Sequence, residues 1–170
     1  MMNPAPPTQP AAIALGSNLG DCRATLESAL AALSDAPGIR VLRRSGWFRS
    51  APVGPPQPDY LNGCALLEVS LAPEALLDRL LATEARFGRV RGERWGPRTL
   101  DLDLILFADL VLNSSRLQIP HPRLRERPFV LVPLAEIAPD WIEPCTGRRV
   151  AELAAALRDD GGLQRLEDGS

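Results

Sequence analysis

Apolar residues fall in short runs separated by glycine and proline, and each run carries the period of one element. Ala11 to Leu15 is a short apolar run stopping at Gly16. Leu26, Ala29, Leu30 and Leu33 then recur at helical spacing, so the chain opens as strand, turn, helix. Beyond Pro37 and Gly38, the stretch Ile39 to Ser50 alternates loosely around Val41, Trp47 and Phe48 and predicts a strand. Pro52, Pro55, Pro56 and Pro58 exclude a regular element between Ala51 and Asp59. Tyr60 to Leu71 predicts another strand. Pro73 then sits in the first turn of a helix whose stripe is Leu76, Leu77, Leu80 and Leu81 and which should stop near Gly88. Asp101 to Phe107 is a clear strand. A polar turn at Asn113 to Ser115, the Pro120-His121-Pro122 step, apolar Phe129 to Ile137 and a short helix near Val150 to Leu157 complete the pattern.

Strand, helix, strand, strand, helix, strand is the split βαβ order, so the expected fold is a ferredoxin-like α+β sandwich, an antiparallel sheet with helices packed on it. The expected organisation is a flexible N-terminal tail over 1–10, a single domain over 11–158 and a loose C-terminal tail over 159–170. The chain has 170 residues, 45% of them hydrophobic, which suits one domain with a sizeable core rather than two domains. No run approaches the ~20 apolar residues that span a bilayer, and residues 1–10 lack the apolar segment of a signal peptide. A cytoplasmic protein is expected, and neither a disulfide framework nor a CxxC zinc site is: Cys22, Cys64 and Cys145 are odd in number and far apart, and read as reduced structural thiols.

Charge narrows the chemistry. All 19 basic residues are arginine, so a Walker A lysine and Schiff-base catalysis are both excluded, and any phosphate gripped by side-chain charge is gripped by arginine. Arg86, Arg89, Arg91, Arg94 and Arg98 stand against Glu93 alone, in a chain whose net charge is −2. Immediately afterwards, strand periodicity puts Asp101 and Asp103 on one face, ~7 Å apart, with Leu102, Leu104 and Leu106 on the other. Two exposed aspartates alone are ordinary. Beside an arginine cluster they make a site for a polyphosphate and the cations that accompany it.

Trp95 lies inside the arginine segment, Tyr60 ends the proline loop and Phe129 follows Arg127 and Pro128, rings that suit a flat heterocycle. Core packing is the usual fate of such a ring, and for Phe129 alone it is the favoured reading. His121 is the sole histidine and, in isolation, reads as a hydrogen-bonding residue. The turn Gly16 to Asp21 resembles a phosphate loop without its spacing, and a capped strand-to-helix turn explains it adequately. An RNA-binding module is the rival reading. The acidic balance, with a pI near 5.5, and the placement of Trp95 and Tyr60 in loops rather than mid-strand, weigh against nucleic acid.

Taken together, Ala14 to Gly20, Pro58-Asp59-Tyr60-Leu61-Asn62, Gly88 to Arg91, Arg94-Trp95-Gly96-Pro97-Arg98-Thr99-Leu100-Asp101-Leu102-Asp103 and Ile119 to Arg123 resemble the 6-hydroxymethyl-7,8-dihydropterin pyrophosphokinase (HPPK) family. The resemblance runs in order from about Ala12 to Ala138. It implies transfer of pyrophosphate from ATP to the hydroxymethyl group of a reduced pterin, releasing AMP, in folate biosynthesis, with two Mg²⁺ ions. By motif position it implies Asp101 and Asp103 as metal ligands and Arg89 and Arg98 as the catalytic phosphate clamps. It implies Arg91, Arg116, His121 and Arg127 at ATP, and Ser50, Val53, Tyr60, Asn62, Trp95 and Phe129 around the pterin. A monomer acting on small molecules, away from membranes and nucleic acid, is expected. The segment Arg91 to Arg94 is one residue shorter than in some members, and Ser50-Ala51 replaces a common Thr-Pro pair.

Overall fold

The computed structural model describes residues 7–52, 55–88, 99–157 and 161–167. Val53, Arg89, Arg91, Trp95 and Arg98, all expected at the site, lie outside them. In chain order the elements are β1 (Gln9–Ser17), α1 (Cys22–Asp35), β2 (Ile39–Arg44), β3 (Phe48–Ser50), β4 (Tyr60–Val69), α2 (Pro73–Arg86) and β5 (Asp101–Phe107). There follow β6 (Leu112–Asn113), β7 (Gln118–Ile119), a 3-10 turn (Leu124–Glu126), α3 (Pro128–Ile137), β8 (Ile142–Glu143), β9 (Arg148–Arg149), α4 (Val150–Ala155) and β10 (Gln164–Arg165). The main sheet runs β10-β3-β4-β1-β5, with β2 also on β4, and its described pairings are antiparallel. This is the expected α+β sandwich. None of the described helices is long and apolar enough to cross a membrane.

Helix starts follow local chemistry. The Asp21 side chain accepts the Ala24 N–H at 3.1 Å, capping α1. Pro73 opens α2, where its missing N–H costs no helical bond. Gly88, at φ 83°, takes the left-handed conformation just beyond the end of that helix. The α2 stripe is narrower than expected: Leu76 and Leu80 are buried, Leu77 is partly buried and Leu81 is exposed.

The sheet has a core on each face. Ala11, Ile13 and Leu15 of β1 join α1 and α2 in one, whereas Ala12 and Ala14 join α3 and α4 in the other. β5 departs from strict alternation. Leu102 and Leu104 enter the first core as expected, but Leu106 lies in the second with Ile105, because the β1–β5 register shifts between Ala12 and Ile13. Asp101 and Asp103, ahead of this irregularity, keep their common face.

Three other expectations need adjustment. The stretch Ile39 to Ser50 is two strands, not one. Ser45 turns the chain by donating its N–H to the Cys64 carbonyl at 2.9 Å and accepting the Cys64 N–H on its Oγ at 2.9 Å, so that Trp47 folds under the sheet. Gln9 and Pro10, placed in the N-terminal tail by sequence, pair with Val69 and Glu68. Gln164 and Arg165, placed in the C-terminal tail, pair with Arg49 and Phe48.

Trp47 is 1% exposed and lies against the bare backbone of Gly63, where an added Cβ would come 2.6 Å from two ring carbons. Gly63→Ala should therefore destabilise the fold by about 1–3 kcal/mol through overpacking. Urea unfolding reads this as a lower midpoint at unchanged slope; a midpoint equal to that of the parent would contradict the packing described.

Candidate active site

The α3–α4 layer covers only part of its face of the sheet, and the uncovered part is the floor of an open cleft of about 240 Å³. Register builds that floor. Gly16 of β1 lies opposite Asn62 on one side and Asp101 on the other; Ala14 lies opposite Cys64 and Asp103. Side chains two apart on a strand share a face, so Asn62, Asp101 and Asp103 all project to the cleft side. Small residues between them leave room. A Cβ on Gly16 would sit 3.6 Å from the Asn62 Oδ1 and from a Tyr60 ring carbon, taking up floor at contact distance.

At the β3–β4 end, Asn62 is 5% exposed and its Nδ2 donates to the Ser50 Oγ at 2.7 Å and to the Phe48 carbonyl at 3.3 Å. These bonds fix the amide and keep its polar edge beside Tyr60, Ser50 and Ala51, all on the cleft wall. The opposite wall comes from the start of α3, where Phe129 and Val130 face the cleft. Phe129 is half-buried against the second core, and so combines the packing role with a ring presented to the cleft.

At the β5 end, Asp101 and Asp103 meet Arg127 and His121. An Arg127 Nη1 stands 4.0 Å from an Asp103 Oδ2, and its guanidinium carbon lies 5.6 Å from the centre of the Phe129 ring. His121 is held at both ends of the residue. Its N–H donates to the Ile105 carbonyl at 3.0 Å, and its Nδ1 accepts the Arg123 N–H at 3.3 Å, which leaves the ring proton on Nε2. Burial, with the charges of Arg127 and Arg123 outweighing that of Asp101, lowers its pKa to about 4. At neutral pH it is an uncharged donor.

The cleft thus gathers Ser50, Tyr60, Asn62, Asp101, Asp103, His121, Arg127 and Phe129 from the sequence reading. Arg116 is not among its lining residues; it is exposed, between β6 and β7, and ion-paired with Asp78 of α2. Two side chains outside that set brace the cleft. Asn18 is 1% exposed and donates to the Gln57 Oε1 at 2.8 Å and the Pro58 carbonyl at 2.9 Å, tying the β1–α1 turn to the proline loop. Glu84, 2% exposed, accepts the Leu102 N–H at 2.7 Å and anchors β5 between its two aspartates. Its signal was present: position 84 continues the four-residue spacing of Leu76 and Leu80, so a carboxylate stands where the stripe calls for an apolar side chain.

Because His121 is the sole histidine, its ring resonances identify themselves. An NMR titration should give a midpoint of about 4, below the ordinary 6.5. The unfolded chain then binds this proton first as pH falls, so the histidine's contribution to stability is present above 6.5 and is lost between 6.5 and about 4. A midpoint at 6.5 would contradict the buried, cation-flanked position.

Comparison with known proteins gives the arrangement its relatives. Residues 12–139 match the family model described as 7,8-dihydro-6-hydroxymethylpterin-pyrophosphokinase (HPPK). A 2-amino-4-hydroxy-6-hydroxymethyldihydropteridine pyrophosphokinase of Synechocystis sp. is 56% identical over 143 residues, covering 84% of this chain and 73% of the relative. One from Pseudomonas aeruginosa is 47% identical over 155 residues, covering 91% and 94%. Among solved structures, Plasmodium falciparum HPPK-DHPS with pteroate superimposes with a TM-score of 0.70 at 11% identity, over 91% of this chain and 43% of that one. This chain spans less than half the length of that protein, and the likeness bears on fold alone. The sequence matches decide the family: the chain belongs to the 7,8-dihydro-6-hydroxymethylpterin-pyrophosphokinase family.

Proposed function

We propose that the cleft is where ATP hands its pyrophosphate to the hydroxymethyl group of 6-hydroxymethyl-7,8-dihydropterin, giving the pterin diphosphate and AMP, the folate-pathway activity of the family. The observation that carries this reading is the single row Asn62, Gly16, Asp101, which sets an amide for a heterocycle and a carboxylate for a cation on one floor, a glycine apart. The rings of Tyr60 and Phe129 suit the faces and edge of a flat bicycle, and Asn62 its polar edge. Ser50 contributes by orienting Asn62. Trp95 and Val53, outside the described residues, are proposed to complete the pterin pocket.

The donor set suits Mg²⁺. Asp101 and Asp103 offer hard oxygens on one strand face, and the approach of Arg127 to Asp103 at 4.0 Å supports a cation at this end of the cleft. They would hold two Mg²⁺ ions, which when bound neutralise the charge of the phosphates. Two carboxylates are too few for a protein cage, so the remaining ligands would have to come from the nucleotide and water.

The protein's own residues then act by position and charge. The pterin hydroxymethyl oxygen attacks the β-phosphorus in line as the bond from that phosphorus to the α,β-bridging oxygen breaks; AMP departs with that oxygen and the hydroxyl proton is released to water. His121 donates a hydrogen bond from Nε2 to a phosphate oxygen, its neutral state preserved by burial. Arg127 exchanges Asp103 for phosphate. Arg116 reaches ATP by giving up Asp78, while Arg91 contributes a further contact and Arg89 and Arg98 clamp the transferring group. The protein is proposed to work as a cytoplasmic monomer, a single domain whose sheet takes in Gln9, Pro10, Gln164 and Arg165 besides the span 11–158.

The test is AMP formation that depends on both ATP and hydroxymethyl-dihydropterin. Asp101→Ala and Asp103→Ala should each reduce that rate at least ~100-fold while leaving the unfolding midpoint unchanged within error. Near-normal transfer by either variant would remove the metal assignment, and AMP formation indifferent to the pterin would remove the proposed reaction.

A further inference from the structure

The C-terminal strand β10 lies on the far side of β3 from Asn62, outside the cleft, yet it is joined to the wall that holds the pterin-facing amide. Asn62 donates to the Phe48 carbonyl and the Ser50 hydroxyl, both on β3, so the placement of β3 sets the direction of that amide. β3 is only three residues long. One edge pairs with β4 and the other with the two residues of β10, while the Leu166 N–H donates to the Trp47 carbonyl at 2.8 Å just ahead of β3.

Arg165 does more than extend this pairing. Its Nε and Nη2 reach the two carboxylate oxygens of Glu136 on α3 at 2.7 and 3.4 Å, a forked pair. The same carboxylate accepts the Gly46 N–H at 2.9 Å, at the corner leading into β3. The guanidinium is seated against Gly46, where a Cβ would come 2.5 Å from Nη2, and its carbon lies 5.9 Å from the centre of the Phe48 ring. One side chain therefore joins α3, the β2–β3 corner and the ring of β3. Burial raises the Glu136 pKa, but the bonds from Arg165 and the Gly46 N–H outweigh it and hold the pKa below its ordinary value, keeping the carboxylate charged. The pair is at the surface, where ion pairs add little stability, so its forked geometry supplies direction more than energy.

We infer that Arg165 is a positioning residue for the pterin: through Glu136, Gly46 and Phe48 it fixes β3, and with it the Asn62 amide, without touching either substrate. The inference rests on the reading that the Asn62 end of the cleft takes the pterin. The β5 end, where ATP and its cations are proposed, lies beyond β4 and β1 in the sheet, and the α3 residue nearest it, Arg127 at the helix start, is at the opposite end of that helix from Glu136.

The experiment compares Arg165→Ala and Arg165→Lys with the parent by steady-state kinetics and by NMR of the Asn62 side-chain amide in the ligand-free protein. Arg165→Ala should raise the pterin KM about tenfold while the ATP KM and the kcat at saturating pterin stay within about twofold. It should also shift the Asn62 amide resonances. Arg165→Lys keeps the charge but loses the fork and the flat contact, and should fall between the two. An Asn62 amide unmoved by Arg165→Ala would overturn the inference, as would parallel increases in both KM values, the mark of general loosening. A shifted amide with an unchanged pterin KM would overturn the pterin placement on which the inference rests; a shifted amide with a selective rise in pterin KM sustains both.

Discussion

The register of β1 against its two neighbours is the constraint on which the site depends. Gly16 must meet Asn62 on one side and Asp101 on the other, because a slip of one residue on either neighbouring strand would turn its cleft residues toward the opposite core. Burial enforces the register. Ala11, Ile13 and Leu15 fill the core beneath α1 and α2, and Ala12 packs beneath α3 and α4, so β1 has no wet face on which a slip would go unnoticed. The glycine at the end of this run then leaves the floor low enough for a ligand to lie across it.

Electrostatics divide the cleft into two ends. Around the Asn62 amide the groups are neutral and fixed by backbone and hydroxyl partners, which suits recognition of a heterocycle by shape and hydrogen bonding. Around Asp101 and Asp103 carboxylates meet arginine, with the uncharged His121 between, which suits phosphate and its counter-ions. One strand, β1, separates these environments, with Gly16 between the Asn62 amide and Asp101.

Much of this is legible in the sequence. Alternation in Asp101 to Phe107 located both aspartates on one face, since the irregularity at Ile105 follows them, but the same irregularity sent Leu106 to a face that simple alternation does not predict. The apolar stretch Phe129 to Ile137 carried no readable period because α3 is apolar nearly all round, the pattern of a helix buried on several sides, and even an internal Pro133 is accommodated. The C-terminal strand has no signature in the sequence for a different reason. Two residues between glycines and acidic neighbours have no periodicity, and Gln164–Arg165 becomes a strand only because β3 offers an edge and Glu136 offers Arg165 a partner. Asn18 and Glu84 likewise act through contacts with Gln57 and Leu102, neither of them a sequence neighbour.

The claim at the centre of this account is that one sheet row seats the pterin and the cations on either side of Gly16. A crystal structure of the protein with hydroxymethyl-dihydropterin, a non-reactive ATP analogue and Mn²⁺, phased at the manganese edge, tests it most directly. The account predicts anomalous density against the Asp101 and Asp103 carboxylates and the polar edge of the pterin against the Asn62 amide. Manganese away from both aspartates, or the nucleotide base at Asn62 in the pterin's place, would contradict it.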